Sequence, residues 1–308
     1  MEGPPPATGT PVGPSPADYL KVLPQYVLPQ RLLSALMHRF SRTRLRSVKD
    51  LQIRWFAHRF GIDLSQAAEP DPSAYPSLNA FFTRALRPGA RSACSDPRSL
   101  LAPADGTVSA VGRIDGDTLV QAKGRLYRLT DLLGDAADAE AYRGGAYLTV
   151  YLSPRDYHRV HMPAGGRLAG MCYVPGRLFS VNASTSRLVP RLFGRNERVV
   201  ARFETGVGEM AVVLVGALMV GGIETVWAGA ITPPHGGRGF LRAYPAQGEA
   251  AVRLARGEEM GRFNMGSTVI VLFQRERMRW HPDLTVGSRV EMGQAVGQAT
   301  GSARADAV

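Results

Sequence analysis

The sequence predicts an α+β protein, with N-terminal amphipathic helices followed by a mainly antiparallel β core of barrel-sandwich-like character. Two observations lead there. Between Asp18 and Phe60 apolar residues recur at helical spacing, with Leu28, Leu32, Leu36 and Phe40 on one stripe and Val48, Leu51 and Trp55 on another. Beyond Arg87-Pro88-Gly89 the texture changes to short β-rich runs punctuated by glycine and proline. With 308 residues, 44% of them hydrophobic, the chain can build one large or two small globular domains.

Three regions follow. Residues 1–16, MEGPPPATGTPVGPSP, have no basic start and no apolar core, so they read as a disordered tail rather than a secretory signal. Residues 17–86 form the helical region, interrupted early by Pro24 and Pro29 and ending in a brief helix from Ser77 to Leu86 that carries Leu78, Phe81 and Phe82. Residues 87–308 form the β-rich part, with strands expected at Thr107–Ile114, Ala146–Leu152, Arg167–Tyr173, Arg198–Glu204, Met210–Val220, Glu224–Ile231 and Thr268–Phe273. The longest apolar run, Met210–Ile223, is too short for the roughly 20 residues of a membrane-spanning helix and reads as buried strand. The last segment, VGSRVEMGQAVGQATG, resembles the closing hairpin of a lipoyl-like barrel without its acceptor lysine, which argues against a carrier role.

Charge narrows the partners. The net charge is +11, and through residue 60 nine Lys and Arg residues face three acids, so over half of the excess lies in the helical region. Such a balance attracts an anionic surface, either nucleic acid or acidic membrane. Because the arginines accompany an apolar stripe, the pattern matches an interfacial membrane element better than a groove-reading nucleic-acid module. A helical subdomain docked on the core fits the same residues. Two distant cysteines, Cys94 and Cys172, provide neither a disulfide framework nor a four-cysteine metal site.

The residues able to carry chemistry are few. His158 and His161 share the dense polar string YLSPRDYHRVHMP, directly after the strand AYLTVYL. Two histidines three apart could ligate a metal, but no third ligand stands at suitable spacing, and no metal is expected. A general-base role needs an orienting partner and a group to deprotonate. Asp105 in LLAPADGTVSAV is a candidate for the first. Ser267 in GRFNMGSTVIVLF is a candidate for the second, entering an apolar strand behind Gly266, whose lack of a side chain permits close approach and strained dihedrals. The G-x-S-x-G elbow of serine hydrolases is absent around Ser267.

Taken together, PADG near residue 105, YLSPRDYHRVHMP at 151–163, VPGRLFSVN at 174–182 and MGST at 265–268 resemble, in order and separation, the bacterial phosphatidylserine decarboxylase pro-enzyme. ADYLKVLPQYVLP at 17–29 resembles that family's N-terminal region. Met265 stands where many members have leucine, a swap of similar volume. The resemblance implies an enzyme that cleaves itself between Gly266 and Ser267 into a large piece, 1–266, and a small one, 267–308. Ser267 becomes a pyruvoyl group, the electron sink for converting phosphatidylserine to phosphatidylethanolamine and CO2. By the same resemblance Asp105, His161 and Ser267 form the cleavage triad, with His161 taking the serine proton and Asp105 orienting the imidazole and stabilising its cation. His158 serves decarboxylation, and Phe179 and Val181 are candidates for the substrate pocket. The expected setting is peripheral, on the cytoplasmic face of a bacterial membrane, against anionic lipid that contains phosphatidylserine. The two pieces stay together as a heterodimer able to form a homo-oligomer, and no nucleic acid is expected as a partner. A pyruvoyl decarboxylase acting on a soluble amino acid would share the cleavage chemistry without needing the basic amphipathic helices.

Overall fold

The computed structural model describes residues 15–122, 125–219, 222–233 and 237–300. Ser15 caps helix α1 (Pro16–Val22): its side chain accepts from the Asp18 N–H, the Asp18 carboxylate accepts from the Ser15 N–H, and Pro16 occupies the first turn. The last two residues of the expected tail therefore belong to a helix start, while residues 1–14 of it lie outside the described residues. Helix α2 (Gln30–Ser41) follows Pro29, and α3 (Arg46–Phe60) ends on Gly61 in the left-handed conformation.

Helix α2 is inverted relative to an ordinary surface helix, and α3 has apolar residues on both its buried and its exposed side. Helix α2 buries Gln30, Ser34 and Ser41 and exposes Leu32, Leu36 and Phe40; α3 buries Lys49, Gln52, Ile53 and Phe56 and exposes Leu51 and Trp55. The buried amide nitrogens are bonded, while Gln52 Oε1 is buried without a partner. Gln30 donates to the Gln25 carbonyl at 2.6 Å and accepts from the Leu178 N–H at 2.9 Å, and Gln52 donates to the Phe40 carbonyl at 3.1 Å. Ile53 and Phe56 meet Leu78, Phe81 and Phe82 in a small apolar core. Phe81 and Phe82 lie on α4 (Leu78–Phe82), capped by Ser77. The helix expected to reach Leu86 stops at Phe82, because the chain beyond it pairs with residues 66–68 through Ala68 N–H to Ala85 O and Arg87 N–H to Gln66 O.

The rest of the chain is mainly strand. In order come β1 (Ser99–Leu101), β2 (Gly106–Arg113), β3 (Thr118–Ala122), β4 (Arg125–Arg128), β5 (Ala146–Leu152), β6 (Arg159–His161), β7 (Gly166–Val174), β8 (Arg198–Thr205) and β9 (Gly208–Val215). They are followed by β10 (Ile223–Thr225), β11 (Gly229–Ala230), β12 (Phe240–Ala243), β13 (Arg253–Leu254), β14 (Glu259–Phe263), β15 (Ser267–Phe273), β16 (Met278–Trp280), β17 (Arg289–Val290) and β18 (Ala295–Ala299). Among the described residues the largest sheet runs β12-β7-β8-β9-β15-β5-β2-β17 with β13 also on β7, and smaller sheets run β11-β10-β14-β6 and β1-β18-β16. The ladders between these strands are antiparallel, as expected.

The large sheet is covered on both faces. Along β9 and β15, Val212, Leu214, Val269 and Val271 enter one core, while Val213, Val215, Ile270 and Leu272 enter another. That double burial is why GEMAVVLV and STVIVLF read as continuous apolar runs instead of alternating ones. Three expectations change. The run from Met210 is strand only to Val215, because at Gly216 the N–H turns to the Glu197 carbonyl and the C=O accepts from the Asn196 amide; Val220 lies outside the described residues. Glu224–Ile231 is two short strands, β10 and β11, folded back on each other where Gly229 takes φ 66°. The C-terminal segment is no self-paired hairpin: β17 joins β2, whereas β18 lies between β1 and β16. Short helices at Leu129–Leu133, Ala136–Ala141, Ala183–Leu188 and Leu192–Arg195 were not anticipated. Among the described residues no helix is long and apolar enough to cross a membrane.

Candidate active site

Ser267 opens β15 opposite Leu152 of β5 and is fully buried, yet its Oγ has no hydrogen-bond partner. Buried hydroxyls are ordinarily bonded, so this orphan stands out, although the Thr268 and Thr149 hydroxyls of β15 and β5 share the condition. Gly266 before it borders an apolar cavity of about 670 Å³, also lined by Phe40, Trp55, Phe60, Phe82 and Met265, and the space beside its α-carbon is open. Gly266 is the residue able to tolerate strained dihedrals, yet the positive φ lies one residue earlier, at Met265, with φ 107°.

The string YLSPRDYHRVHMP wraps this strand entrance. The chain leaves β5 at Leu152, opposite Ser267, and comes back so that the His158 carbonyl accepts from the Phe263 N–H at 3.0 Å. Asp156 fixes the turn by accepting from the Ser153 N–H, the Ser153 hydroxyl and Arg289, each at 2.7 Å. His158 Nδ1 lies 2.7 Å from the Asp156 carbonyl. A carbonyl only accepts, so Nδ1 carries the proton and Nε2 is a bare lone pair, buried without a partner. The ring packs on Phe82 with centroids 4.0 Å apart. Burial, helped by the Arg84 cation, pushes the His158 pKa down to about 3, so the imidazole is neutral.

His161 is engaged at both nitrogens: Nδ1 donates to the Gly257 carbonyl at 2.8 Å and Nε2 accepts from the Tyr157 hydroxyl at 3.0 Å. Burial again lowers its pKa, opposed by the Gly257 bond and by the negative charges of Glu259 and Asp105. The His161 N–H donates to the Pro103 carbonyl at 2.8 Å, which joins the PADG segment to β6. Asp105 accepts from Arg91 at 2.7 Å and from the Met292 N–H at 2.8 Å. It shares a polar cleft of about 190 Å³ with Tyr157, Arg84, Asp156 and Arg289. Asp105 thus reaches His161 through charge, while the Gly257 carbonyl holds the ring. Gly106 is required by closeness rather than turn geometry, since a Cβ there would lie 2.5 Å from the Tyr151 carbonyl oxygen.

PADG, both histidines and Ser267 therefore converge around β5, β6 and β15. Phe179 and Val181 do not join them: both are buried in the core that contains Val213 and Ile270, with the Phe179 ring against Tyr26 at 5.0 Å. Sequence reasoning passed over Tyr157, although it lies inside the string that flagged the histidines, and Asn264, which directly precedes Met265. Gly257 and Arg91 carried no signal, because they act through a carbonyl and through a distant ion pair.

Fold and site together describe an enzyme with a buried reaction centre, in which a buried serine follows a glycine that lines a large apolar cavity and a neutral imidazole packs on Phe82 of the same cavity wall. A family model described as phosphatidylserine decarboxylase matches residues 78–298, and one described as PSD matches residues 20–61. The chain is 51% identical over 281 residues to the phosphatidylserine decarboxylase proenzyme of Ectopseudomonas mendocina, covering 91% of this chain and 98% of that one. It is 50% identical over 280 residues to that of Shewanella loihica, covering 90% and 98%, and 50% identical over 282 residues to that of Pseudomonas fluorescens, covering 91% and 98%. The chain belongs to the phosphatidylserine decarboxylase family: it is a carboxy-lyase of phospholipid biosynthesis made as a proenzyme.

Proposed function

We propose that this proenzyme converts itself, by cleavage between Gly266 and Ser267, into a pyruvoyl enzyme that decarboxylates phosphatidylserine to phosphatidylethanolamine at a membrane surface. The observation that carries the reading is the buried, unpartnered Oγ of Ser267, immediately after a glycine that opens onto the apolar cavity. Ser267 Oγ attacks the Gly266 carbonyl carbon; the C–N bond breaks, a C–O bond forms, and the hydroxyl proton passes by way of a base to the new amine. β-Elimination then frees the Gly266 carboxylate, and water releases ammonia from the resulting imine, leaving the pyruvoyl at residue 267. In this scheme His161 takes the serine proton and Asp105 favours the imidazolium electrostatically, after Nε2 exchanges its bond from Tyr157. A second reading, favoured by the bare Nε2 of His158, makes His158 the base of cleavage.

The residues present suit the group. Once formed it supplies an electron sink for the departing carboxyl group. His158 Nε2, a free lone pair on a neutral ring, takes up a proton during turnover and relays it to the carbon that loses CO2, and the cavity of Phe40, Trp55, Phe60 and Phe82 excludes water and accepts acyl chains. The exposed Leu32, Leu36, Phe40, Leu51 and Trp55, with Arg39, Arg44 and Arg46 beside them, suit docking on anionic lipid.

The test is mass spectrometry of purified protein with a phosphatidylserine assay. The parent should yield pieces 1–266 and 267–308, the second beginning in a pyruvoyl group, and release CO2 from vesicles containing phosphatidylserine. Ser267→Ala should stay whole and inactive. Cleavage at another bond, or an active uncut chain, would overturn the proposal.

A further inference from the structure

The two residues ahead of Ser267 are stretched between fixed points. Downstream, Ser267 pairs with Leu152 of β5, and from Thr268 onward β15 is locked between β5 and β9. Upstream, Asn264 is only 1% exposed, and its N–H and both polar atoms of its side chain are taken by two segments, residues 222–224 and α4. Its N–H donates to the Gly222 carbonyl at 2.9 Å, its Nδ2 donates to Glu224 Oε1 at 2.8 Å, and its Oδ1 accepts from Asn79 Nδ2 at 3.0 Å. Glu224 is itself held by Arg42 at 3.4 Å and Arg262 at 4.0 Å. Between the anchors Met265 takes φ 107°, a conformation a side chain with a Cβ adopts only when its surroundings impose it. Gly266, the residue that could take it freely, does not.

We infer that Asn264, gripped by Asn79 and Glu224, is a positioning residue for self-cleavage: it holds the upstream end of the scissile segment so that the strain of Met265 is released as the Gly266–Ser267 bond is remade. This role rests on the cleavage proposed above and follows from chain length. In the precursor one atom, the amide nitrogen, connects the Gly266 carbonyl carbon to the Ser267 α-carbon. When the acyl group moves to Oγ, the C–N bond is exchanged for a C–O bond and two atoms, Oγ and Cβ, span the same gap. The tether between the anchors lengthens by one atom, so the first step relaxes Met265, and elimination cuts the tether outright. Cutting the clamp lets the segment relax beforehand and removes that advantage.

The experiment follows the precursor half-life after cell-free synthesis on denaturing gels, with intact mass locating the cut. Asn264→Ala and Glu224→Ala should slow cleavage at least tenfold. Glu224→Gln, which keeps an acceptor for Asn264 while losing both ion pairs, should restore the rate to within about threefold of the parent. Met265→Gly, which adopts positive φ without strain and leaves the clamp intact, should slow cleavage several-fold. Ser267→Ala versions of each, compared by thermal unfolding, identify any variant that fails to fold; Met265→Gly and Glu224→Gln keep the inference testable if Asn264→Ala is one of them. Parent-like cleavage in Met265→Gly together with Glu224→Ala, or no rescue by Glu224→Gln, overturns the clamp. A parent cut elsewhere than Gly266–Ser267 overturns instead the proposal on which it rests.

Discussion

His158 and His161 differ in what their basic nitrogens face, and this makes their roles separable. Nε2 of His161 is occupied by Tyr157, whereas that of His158 faces no partner. If His161 serves maturation and His158 decarboxylation, gels should show uncut precursor for His161→Ala and Asp105→Asn. His158→Ala should then still cleave while losing at least about a hundredfold in turnover, the scale of a general acid or base. The reverse pattern would exchange the roles. Burial of His158 also has a consequence for stability. Its folded pKa of about 3 lies below the ordinary 6.5, so between those values the unfolded chain binds a proton that the folded chain refuses. Its contribution is complete above about pH 6.5 and is lost as the pH falls toward 3, with His161 acting in the same sense. In the Ser267→Ala background the denaturant midpoint should drop between pH 7 and 4.5, and less steeply in His158→Gln; equal slopes would show that His158 is not the titrating group.

At the scale of the element, α2 and α3 turn polar residues inward and leucines outward, and the two faces should answer differently to mutation. Phe56, 3% exposed against Phe82, is a core residue, and Phe56→Ala should cost about 3–5 kcal/mol in unfolding free energy. Replacing Leu32, Leu36 and Trp55 together by serine, at positions 56–61% exposed, should change stability by less than about 1 kcal/mol. Full burial of each such apolar side chain is worth roughly 1.5–3 kcal/mol, so the same variant should lose at least about tenfold in co-sedimentation with anionic vesicles. Unchanged vesicle binding would move the membrane contact elsewhere. Point variants are the suitable probe, because deleting residues 18–60 would strip Ile53 and Phe56 from the small core and break the Asp18–Arg187 ion pair.

For the whole molecule, the place of β15 decides what cleavage leaves behind. The strand lies between β5 and β9 with all seven residues buried, and β17 and β18 of the same C-terminal piece join β2 and β1. Pieces 1–266 and 267–308 should therefore co-elute as one species in native gel filtration and separate only in denaturant. Spontaneous dissociation after cleavage would contradict that sheet order.

Much of this was legible in the residues themselves. Helical periodicity in 18–60 and the apolar runs at 146–152 and 267–273 reflect local burial, and burial leaves its period in the sequence. Ser267, the two histidines and Asp105 stood out because their motifs are contiguous and rich in residues that carry protons. The direction in which α2 faces was not legible, since an apolar stripe points to core and membrane alike, and only the buried Gln30 and Ser34 settle which side meets the protein. Phe179 looked like a pocket residue from its motif but packs in the far core, because a nearby motif does not fix which face of the sheet a side chain enters. Where β10 turns back, where β17 and β18 find partners, that Gly257 holds His161 and that Met265 rather than Gly266 bears the positive φ depend on segments far apart in the chain. Sequence by itself determined which residues are able to react and which stretches must be buried; tertiary structure alone decided which nitrogens are left free and where the backbone is strained, because both follow from hydrogen bonds between distant segments that no local pattern encodes.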